Sequence, residues 1–122
     1  MDNKHPALQN ACDFIKANLH LKISMLDLKH HTKYSERSLQ MIFKKYLNKS
    51  PFEYIEEQRL LKAHALIKQH KQSKKTTHIA AEVGFRHLGR FSVNFKKRFG
   101  IHPSVLARSN ICLLYTSPSP RD

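Results

Sequence analysis

The sequence is poor in cysteine and contains no long apolar run. Its two cysteines, Cys12 and Cys112, form no CxxC pair and are too few for a disulfide framework, so we expect both to be packing or surface residues in a reducing compartment. No run approaches the roughly 18 uninterrupted apolar residues that a membrane span needs. Residues 1–10 lack the charged-then-apolar pattern of a signal peptide. These absences predict a cytoplasmic protein that does not enter the membrane.

The residue sets of catalytic and metal sites are also missing. No Ser, His and Asp set, nucleophile elbow, phosphate loop or carboxylate cluster is present. No pair among the nine histidines is joined by a further Cys or His partner at zinc-finger spacing, and the adjacent His30 and His31 cannot share one face of a helix. We therefore expect no enzyme activity, no cofactor and no metal.

Acidic residues are scarce, and the basic residues are unevenly distributed. The chain of 122 residues carries 22 Lys and Arg against 9 Asp and Glu, a formal net charge of +13. Residues 58–108 hold 12 of the basic residues and a single acid, Glu82. Such a segment fits a polyanionic partner, because each Lys or Arg that meets a phosphate releases condensed counterions. The alternative is a solvated basic face that serves only solubility.

Hydrophobic spacing predicts an all-helical fold, because Val, Ile and Thr form no alternating runs. A first helix with one apolar stripe precedes two helices capped by Ser24 and Ser35, and a capping box of Ser50 and Glu53 opens a long helix to about Lys71. The inner face of the third helix is predicted to carry Leu39, Ile42, Phe43 and Tyr46.

The second half of the chain continues the helical pattern. Thr77 is predicted to cap a short helix that Gly84 ends, and the next helix ends at Gly100. Phe91, Phe95 and Phe99 recur every four residues along that helix, which favours core packing over the alternative of a stacking platform for single-stranded RNA. A last short helix is predicted from Pro103.

The two halves repeat each other. The same Phe-Lys-Lys sequence stands at the same interval before a proline in each half: Phe43, Lys44 and Lys45 before Pro51, and Phe95, Lys96 and Lys97 before Pro103. Upstream, Tyr34 matches Phe85, but the second copy has one extra residue between this position and its longer helix. A short helix, a tight turn and a longer helix with a basic outer face make a helix-turn-helix unit used twice. The predicted domains are a first subdomain (1–50), a linker helix (51–72), a second subdomain (73–108) and a non-homologous tail (109–122), which we expect to be artefactual or disordered.

The outer faces of the two longer helices supply candidate DNA contacts. Arginine can bond guanine and glutamine can bond adenine in the major groove, whereas lysines mostly hold phosphates. On this basis Arg86 and Arg90 are predicted to be the second-copy equivalents of Arg37 and Gln40, with Ser92 at the flank and Val93 able to touch a thymine methyl group. The predicted phosphate contacts are Lys44, Lys45, Lys96, Lys97 and Arg98.

One stretch of sequence is similar to a known signature. In the second half of the chain the matching residues are Ile79, Ala80, Val83, Gly84, Phe85, Phe91, Ser92, Phe95, Lys96, Lys97, Phe99, Gly100 and Pro103. In the first half they are Ser35, Leu39, Gln40, Phe43, Ser50, Pro51, Tyr54, Ile55, Arg59, Leu60 and Ala63. Together these residues resemble the signature of the AraC/XylS family of bacterial transcription regulators. The resemblance covers about residues 7–108. It implies two homeodomain-like helix-turn-helix subdomains joined by a rigid linker helix, which bind two successive major grooves of double-stranded DNA, about 34 Å apart.

The resemblance also implies site residues and partners. It marks Arg37, Gln40 and Met41 in the first recognition helix, and in the second Leu88, Gly89, Arg90, Ser92 and Val93. Val93 stands where many members have arginine, so Arg90 is the better candidate reader. Family members usually activate promoters and touch RNA polymerase.

The sequence as a whole therefore predicts a sequence-specific, AraC-type transcription activator that acts on the nucleoid. We expect the module to be monomeric on DNA, with dimerisation only through a further domain that precedes it. The alternatives are a basic helical module that binds RNA or other nucleic acid without specificity, and a helical protein-interaction domain. Residues from about 110 onward are expected to contribute nothing to DNA binding.

Overall fold

The structure, a computed structural model, describes residues 5–108, except the side chain of Gln72. Cys112 and the predicted tail lie outside the described residues. Within them the chain is all-helical, as the sequence predicts, with no strand. The helices are α1 (Pro6–Ala17), α2 (Met25–Thr32), α3 (Glu36–Leu47), α4 (Pro51–His70), a 3₁₀ turn (Lys71–Ser73), α5 (Thr76–Glu82), α6 (Leu88–Phe99) and α7 (Pro103–Arg108).

The chain forms two compact units that divide within α4, the first ending at Arg59 and the second beginning at Leu60. The domain boundaries expected from the sequence, which give the linker helix a segment of its own, stay a prediction. None of the helices described between residues 5 and 108 is long and apolar enough to cross a membrane.

The first unit packs α1, α2 and α3 around one apolar core. The α1 stripe is buried as predicted, and α4 adds Tyr54 and Ile55 to the same core. Cys12 is a free buried thiol that accepts a hydrogen bond from the Tyr54 hydroxyl, and burial raises the pKa of both groups. Arg59 donates from Nε to the Leu19 carbonyl (3.1 Å) and from Nη2 to the Leu21 carbonyl (2.8 Å), which ties the α1–α2 connection to α4.

The second unit has an aromatic core. Phe91 and Phe95 are buried on α6, with ring centroids 5.5 Å apart, and Phe99 follows at 4.7 Å from Phe95. This packing confirms the prediction that these rings belong to the core, so they do not form a platform for bases. They are joined there by Leu60, Ala63, Ile67, Ile79, Ala80, Val83 and Ala107.

Three predicted helix caps are confirmed. The hydroxyl oxygen of Ser24 accepts from Asp27 N (3.2 Å) and that of Ser35 accepts from Ser38 N (3.2 Å). Ser50 and Glu53 form the predicted capping box, with Glu53 N donating to Ser50 Oγ at 3.1 Å and Ser50 N donating to Glu53 Oε1 at 2.8 Å.

Two local predictions were wrong. Thr77 is not a cap, because α5 begins one residue before it and its N-cap, Lys75, makes no side-chain capping bond. Tyr46 is not part of the inner face of α3. Its side chain is 42% exposed, because it lies at the edge of the first unit against His5, with ring centroids 6.0 Å apart.

Candidate nucleic-acid interface

The first unit contains a helix-turn-helix made of α2, a three-residue turn and α3. Lys33 turns the chain with a left-handed backbone (φ 68°), and its N–H donates to the Lys29 carbonyl at 2.8 Å. Thr32 is buried, and its hydroxyl donates to the Leu28 carbonyl (2.8 Å) while accepting from Tyr34 N (3.2 Å). This one side chain therefore fastens the turn to the end of α2.

The second unit repeats the arrangement with α5, a longer turn and α6. Gly84 is its left-handed residue (φ 104°), and the N–H groups of Gly84 and Phe85 donate to the carbonyls of Ala81 (3.1 Å) and Ala80 (3.0 Å). Backbone carbonyls therefore accept from both of these N–H groups, so no buried hydroxyl is needed as their acceptor.

Structural landmarks define the register of the repeat. Before the turn, the left-handed residues Lys33 and Gly84 are 51 positions apart, as are the N-caps Ser24 and Lys75. After the turn the separation is 52, as shown by the N-caps Ser35 and His87, the left-handed residues Asn48 and Gly100, and the prolines Pro51 and Pro103. The extra residue predicted for the second copy therefore lies inside its turn.

On α3, the residues proposed as DNA contacts are exposed. Leu39 and Phe43 are fully buried, and Met41 lies two residues, or about 200°, from each of them, so it points away from the core. Gln40 lies at the flank, where its Nε2 donates to Glu36 Oε2 at 3.4 Å. All five predicted contacts of this helix are open to solvent: Arg37, Gln40, Met41, Lys44 and Lys45.

On α6, the same face is exposed opposite Phe91 and Phe95. Val93 lies about 200° from each of these two buried rings, and Ser92 is half-buried at the flank. The Arg98 guanidinium lies over the Phe99 ring, 5.0 Å from its centroid. The other predicted contacts of this helix, Arg90, Lys96 and Lys97, are exposed.

Comparisons with known proteins agree with this geometry. Residues 28–109 match the model of a helix-turn-helix domain family. The XylDLEGF operon transcriptional activator of Pseudomonas putida is 34% identical over 105 residues, which cover 85% of this chain and 33% of that protein. An AraC-type DNA-binding-domain protein from Chromobacterium violaceum superimposes with a TM-score of 0.76 at 30% identity, covering 86% of this chain and 95% of that one. The chain belongs to the AraC/XylS family of transcription regulators.

Further relatives support the same assignment. The regulator GbdR of Pseudomonas aeruginosa is 33% identical over 103 residues, covering 84% of this chain and 28% of that protein. A Rhodopseudomonas palustris structure described as a probable AraC family regulator has a TM-score of 0.80 at 27% identity, covering 86% of this chain and 97% of that one. The chain spans about a third of the length of these curated relatives, and it corresponds to a family DNA-binding domain.

The register corrects one expectation about this AraC-type domain. Arg86 and Arg90 are not the equivalents of Arg37 and Gln40. Arg86 lies in the turn, one residue before the N-cap of α6, and Arg90 corresponds to Ser38. The residues that correspond to Arg37 and Gln40 are Gly89 and Ser92. Arg86 and Arg90 lie 49 and 50 residues after Arg37 and Gln40, short of the 52 residues that relate the two helices, so matching the outer-face side chains by their polar character gave the wrong pairs. Both arginines are exposed, and their contacts with bases stay a prediction.

Two basic concave surfaces escaped the sequence reasoning. A cavity of about 310 Å³ in the first unit adjoins the turn and is lined by Lys29, His30, Lys33, Tyr34 and Ser35. A second, of about 390 Å³, lies in the second unit and is lined by Lys74, Lys75, Thr76, Thr77, Ser104, Ala107 and Arg108. The first set lies within residues 29–35 of the sequence, whereas only the fold brings Ser104, Ala107 and Arg108 to the start of α5.

One histidine is part of the packing behind α6. The His64 ring of α4 lies against Phe99 (centroids 4.3 Å apart) and is stacked near Phe95 (5.9 Å). Burial lowers the pKa of His64, and the positive charges of Lys68 and Arg98 lower it further. In the described part of the chain, no group of three or more His, Cys, Asp or Glu residues could hold a metal ion.

Proposed function

We propose that this AraC-type domain binds specific sequences of double-stranded DNA, with α3 and α6 as recognition helices in the major groove. The repeated exposed face carries the proposal: in each unit the second helix of the helix-turn-helix turns a face with exposed basic side chains away from the core. A helix-turn-helix places the second of its helices in the major groove, where side chains reach base edges.

The exposed face of each recognition helix carries side chains suited to two kinds of contact, one with bases and one with phosphates. Arg37 can donate two hydrogen bonds to guanine, and Gln40 can pair with adenine, so the first helix has the means to distinguish bases. Arg90 is the candidate donor on α6, and Arg86 adds a cation from the turn before it. The lysines at matching positions of the two helices, Lys44 with Lys96 and Lys45 with Lys97, would neutralise phosphates and hold each helix in place.

Binding to random-sequence and selected DNA tests this function. A random duplex library is passed over the chain, and the enriched duplex is compared with a scrambled duplex and a structured RNA by fluorescence anisotropy across a salt series. We expect the enriched duplex to bind about 10³-fold more tightly than the scrambled one, with log K falling linearly against log[salt]. Equal affinity for all three would instead indicate a non-specific basic module.

We further propose that the chain acts as an activator, is monomeric on DNA, and touches RNA polymerase. The activator role named for the Pseudomonas putida relative supports the first of these three proposals. Transcription in vitro from a promoter with the enriched site upstream is expected to rise when the chain is added to purified RNA polymerase. A fall would identify a repressor and leave the DNA-binding proposal intact. Sedimentation of the complex with one duplex would give its stoichiometry.

A further inference from the structure

Two apolar side chains occupy the same position in the two recognition helices. Met41 on α3 and Val93 on α6 are 52 residues apart, the separation that relates the two units after their turns. Their side chains are 63% and 58% exposed, although each lies at the middle of its helix, directly opposite the buried stripe. On each recognition helix, an apolar residue therefore projects away from the core.

The two helices differ at the polar positions beside Met41 and Val93. Where α3 has Arg37 and Gln40, α6 has Gly89 and Ser92, so the second helix has lost both long hydrogen-bonding side chains at these positions. A Cβ added at Gly89 would meet nothing within 4 Å, so packing does not explain that glycine. The character shared by the two helices is an apolar side chain at the centre of the face and lysines towards the end.

An apolar side chain has one base-specific group to contact in the major groove. All four bases present hydrogen-bond donors or acceptors there, and thymine alone also presents an apolar group, its C5 methyl. From this match we infer that Met41 and Val93 each read the C5 methyl of a thymine, one in each half of the binding site. This inference rests on the proposed function, because it names what the two recognition helices read.

Replacing thymine by deoxyuridine tests the contact from the DNA side. Deoxyuridine keeps the pairing and the O4 acceptor and lacks only the methyl group. Each thymine of the enriched duplex is replaced in turn, and the Kd is measured by anisotropy. Burying one methyl-sized group contributes about 0.8 kcal/mol, so we expect two separate thymines at which the replacement weakens binding about fourfold.

Three variants assign the two thymines to their side chains. Met41→Ala should abolish the effect of deoxyuridine at one thymine, and Val93→Ala at the other. Val105→Ala is the matched control, because it makes the same change at an exposed valine of the second unit outside the recognition helices, and it should keep both effects. Since all three side chains are exposed, none of these changes should unfold the chain.

The outcomes separate this inference from the function on which it rests. Specific binding with no thymine sensitive to deoxyuridine would overturn the inference and leave the proposed function standing. Sensitive thymines that stay sensitive in both Met41→Ala and Val93→Ala would also overturn it, because other side chains would then make the contacts. Failure to enrich any duplex would overturn both the proposed function and the inference.

Discussion

Lys33 and Gly84 hold the same left-handed backbone position, one in each helix-turn-helix, with φ of 68° and 104°. Glycine adopts this conformation without a steric penalty, whereas a residue with a Cβ is disfavoured there by about 1 kcal/mol. The first unit therefore stores strain at a point where the second does not. The lysine side chain also lines the basic cavity beside the turn, which is a reason for its presence other than stability.

Lys33→Gly is expected to stabilise the chain. Relief of the left-handed penalty should raise the free energy of unfolding by about 0.5–1 kcal/mol, measured by urea denaturation followed by circular dichroism. Asn48→Gly is the matched control, since Asn48 is also left-handed (φ 58°) but asparagine tolerates this region, so its gain should be smaller. A loss of stability in Lys33→Gly would show that the lysine side chain contributes more than the strain costs.

The Thr32 hydroxyl should be essential to the first turn. Thr32→Val keeps the shape but leaves Tyr34 N without its acceptor, and an unpaired part-buried N–H costs about 1–3 kcal/mol of folding free energy. Thr32→Ser, which keeps the hydroxyl, should retain most of the stability in the same denaturation experiment. A loss in Thr32→Ser with none in Thr32→Val would assign the stability to the methyl group instead.

Val83 holds the position of Thr32 in the second unit, and adding a hydroxyl there provides the reverse test. Val83→Thr should not stabilise the chain, because the next two N–H groups already donate to the carbonyls of Ala81 and Ala80. Any gain in the free energy of unfolding would mean that the backbone bonds of this turn are weaker than their lengths suggest.

The sequence was sufficient for those features that local chemistry determines. Ser24, Ser35 and Ser50 could be identified as caps because each precedes an apolar-periodic segment, and Ser24 and Ser50 also have a carboxylate three residues later. The start of α5 could not be found in this way. Lys75 makes no side-chain cap, so the burial of Ile79 and Ala80 decides where the helix lies, and neighbouring threonines gave a misleading signal.

The wrong equivalence of Arg86 has a related cause. The spacing of the repeat already placed the extra residue of the second copy before its helix, but it did not show where that helix begins, and Arg86 was assigned to its outer face. His87, the N-cap of α6, makes no side-chain capping bond, so no local signal marks the helix start. The structure was needed to show that Arg86 precedes α6, whereas the separation of 52 residues that pairs Met41 with Val93 already follows from the spacing of Phe43 and Phe95.

Protonation of His64 is expected to destabilise the second unit. Its folded pKa lies below the ordinary value of about 6.5, so between these two values the unfolded chain binds more protons than the folded one. The stability that the folded chain gains from neutral His64 is therefore fully present above about pH 6.5 and is lost as the pH falls through the folded pKa. The thermal midpoint should rise with pH over this window in the natural chain.

His64→Gln should remove that part of the pH dependence. The readout is the difference in thermal midpoint between pH 5 and pH 7.5, compared with the natural chain, so a general loss of stability does not confuse it. His102→Gln, at an exposed histidine of the same unit, is the control and should leave the difference unchanged. An unaltered difference in His64→Gln would mean that other groups titrate over this range.

Arg37 and Lys97 should differ in what their removal does to DNA binding, although each substitution removes one positive charge. Arg37→Ala is expected to cost about 1–3 kcal/mol on the enriched duplex and little on a scrambled one, because a bidentate contact to a base is lost. Lys97→Ala should weaken binding to both duplexes alike and lower the slope of log K against log[salt] by about 1, since one phosphate contact disappears.

Arg37→Lys separates the effect of charge from that of geometry. It keeps the cation but not the planar fork, so most of the loss of affinity for the enriched duplex should remain while binding to the scrambled duplex is unchanged. If Arg37→Lys binds the enriched duplex as the natural chain does, then Arg37 acts as a point charge on a phosphate, and the base-reading role on α3 passes to its neighbours.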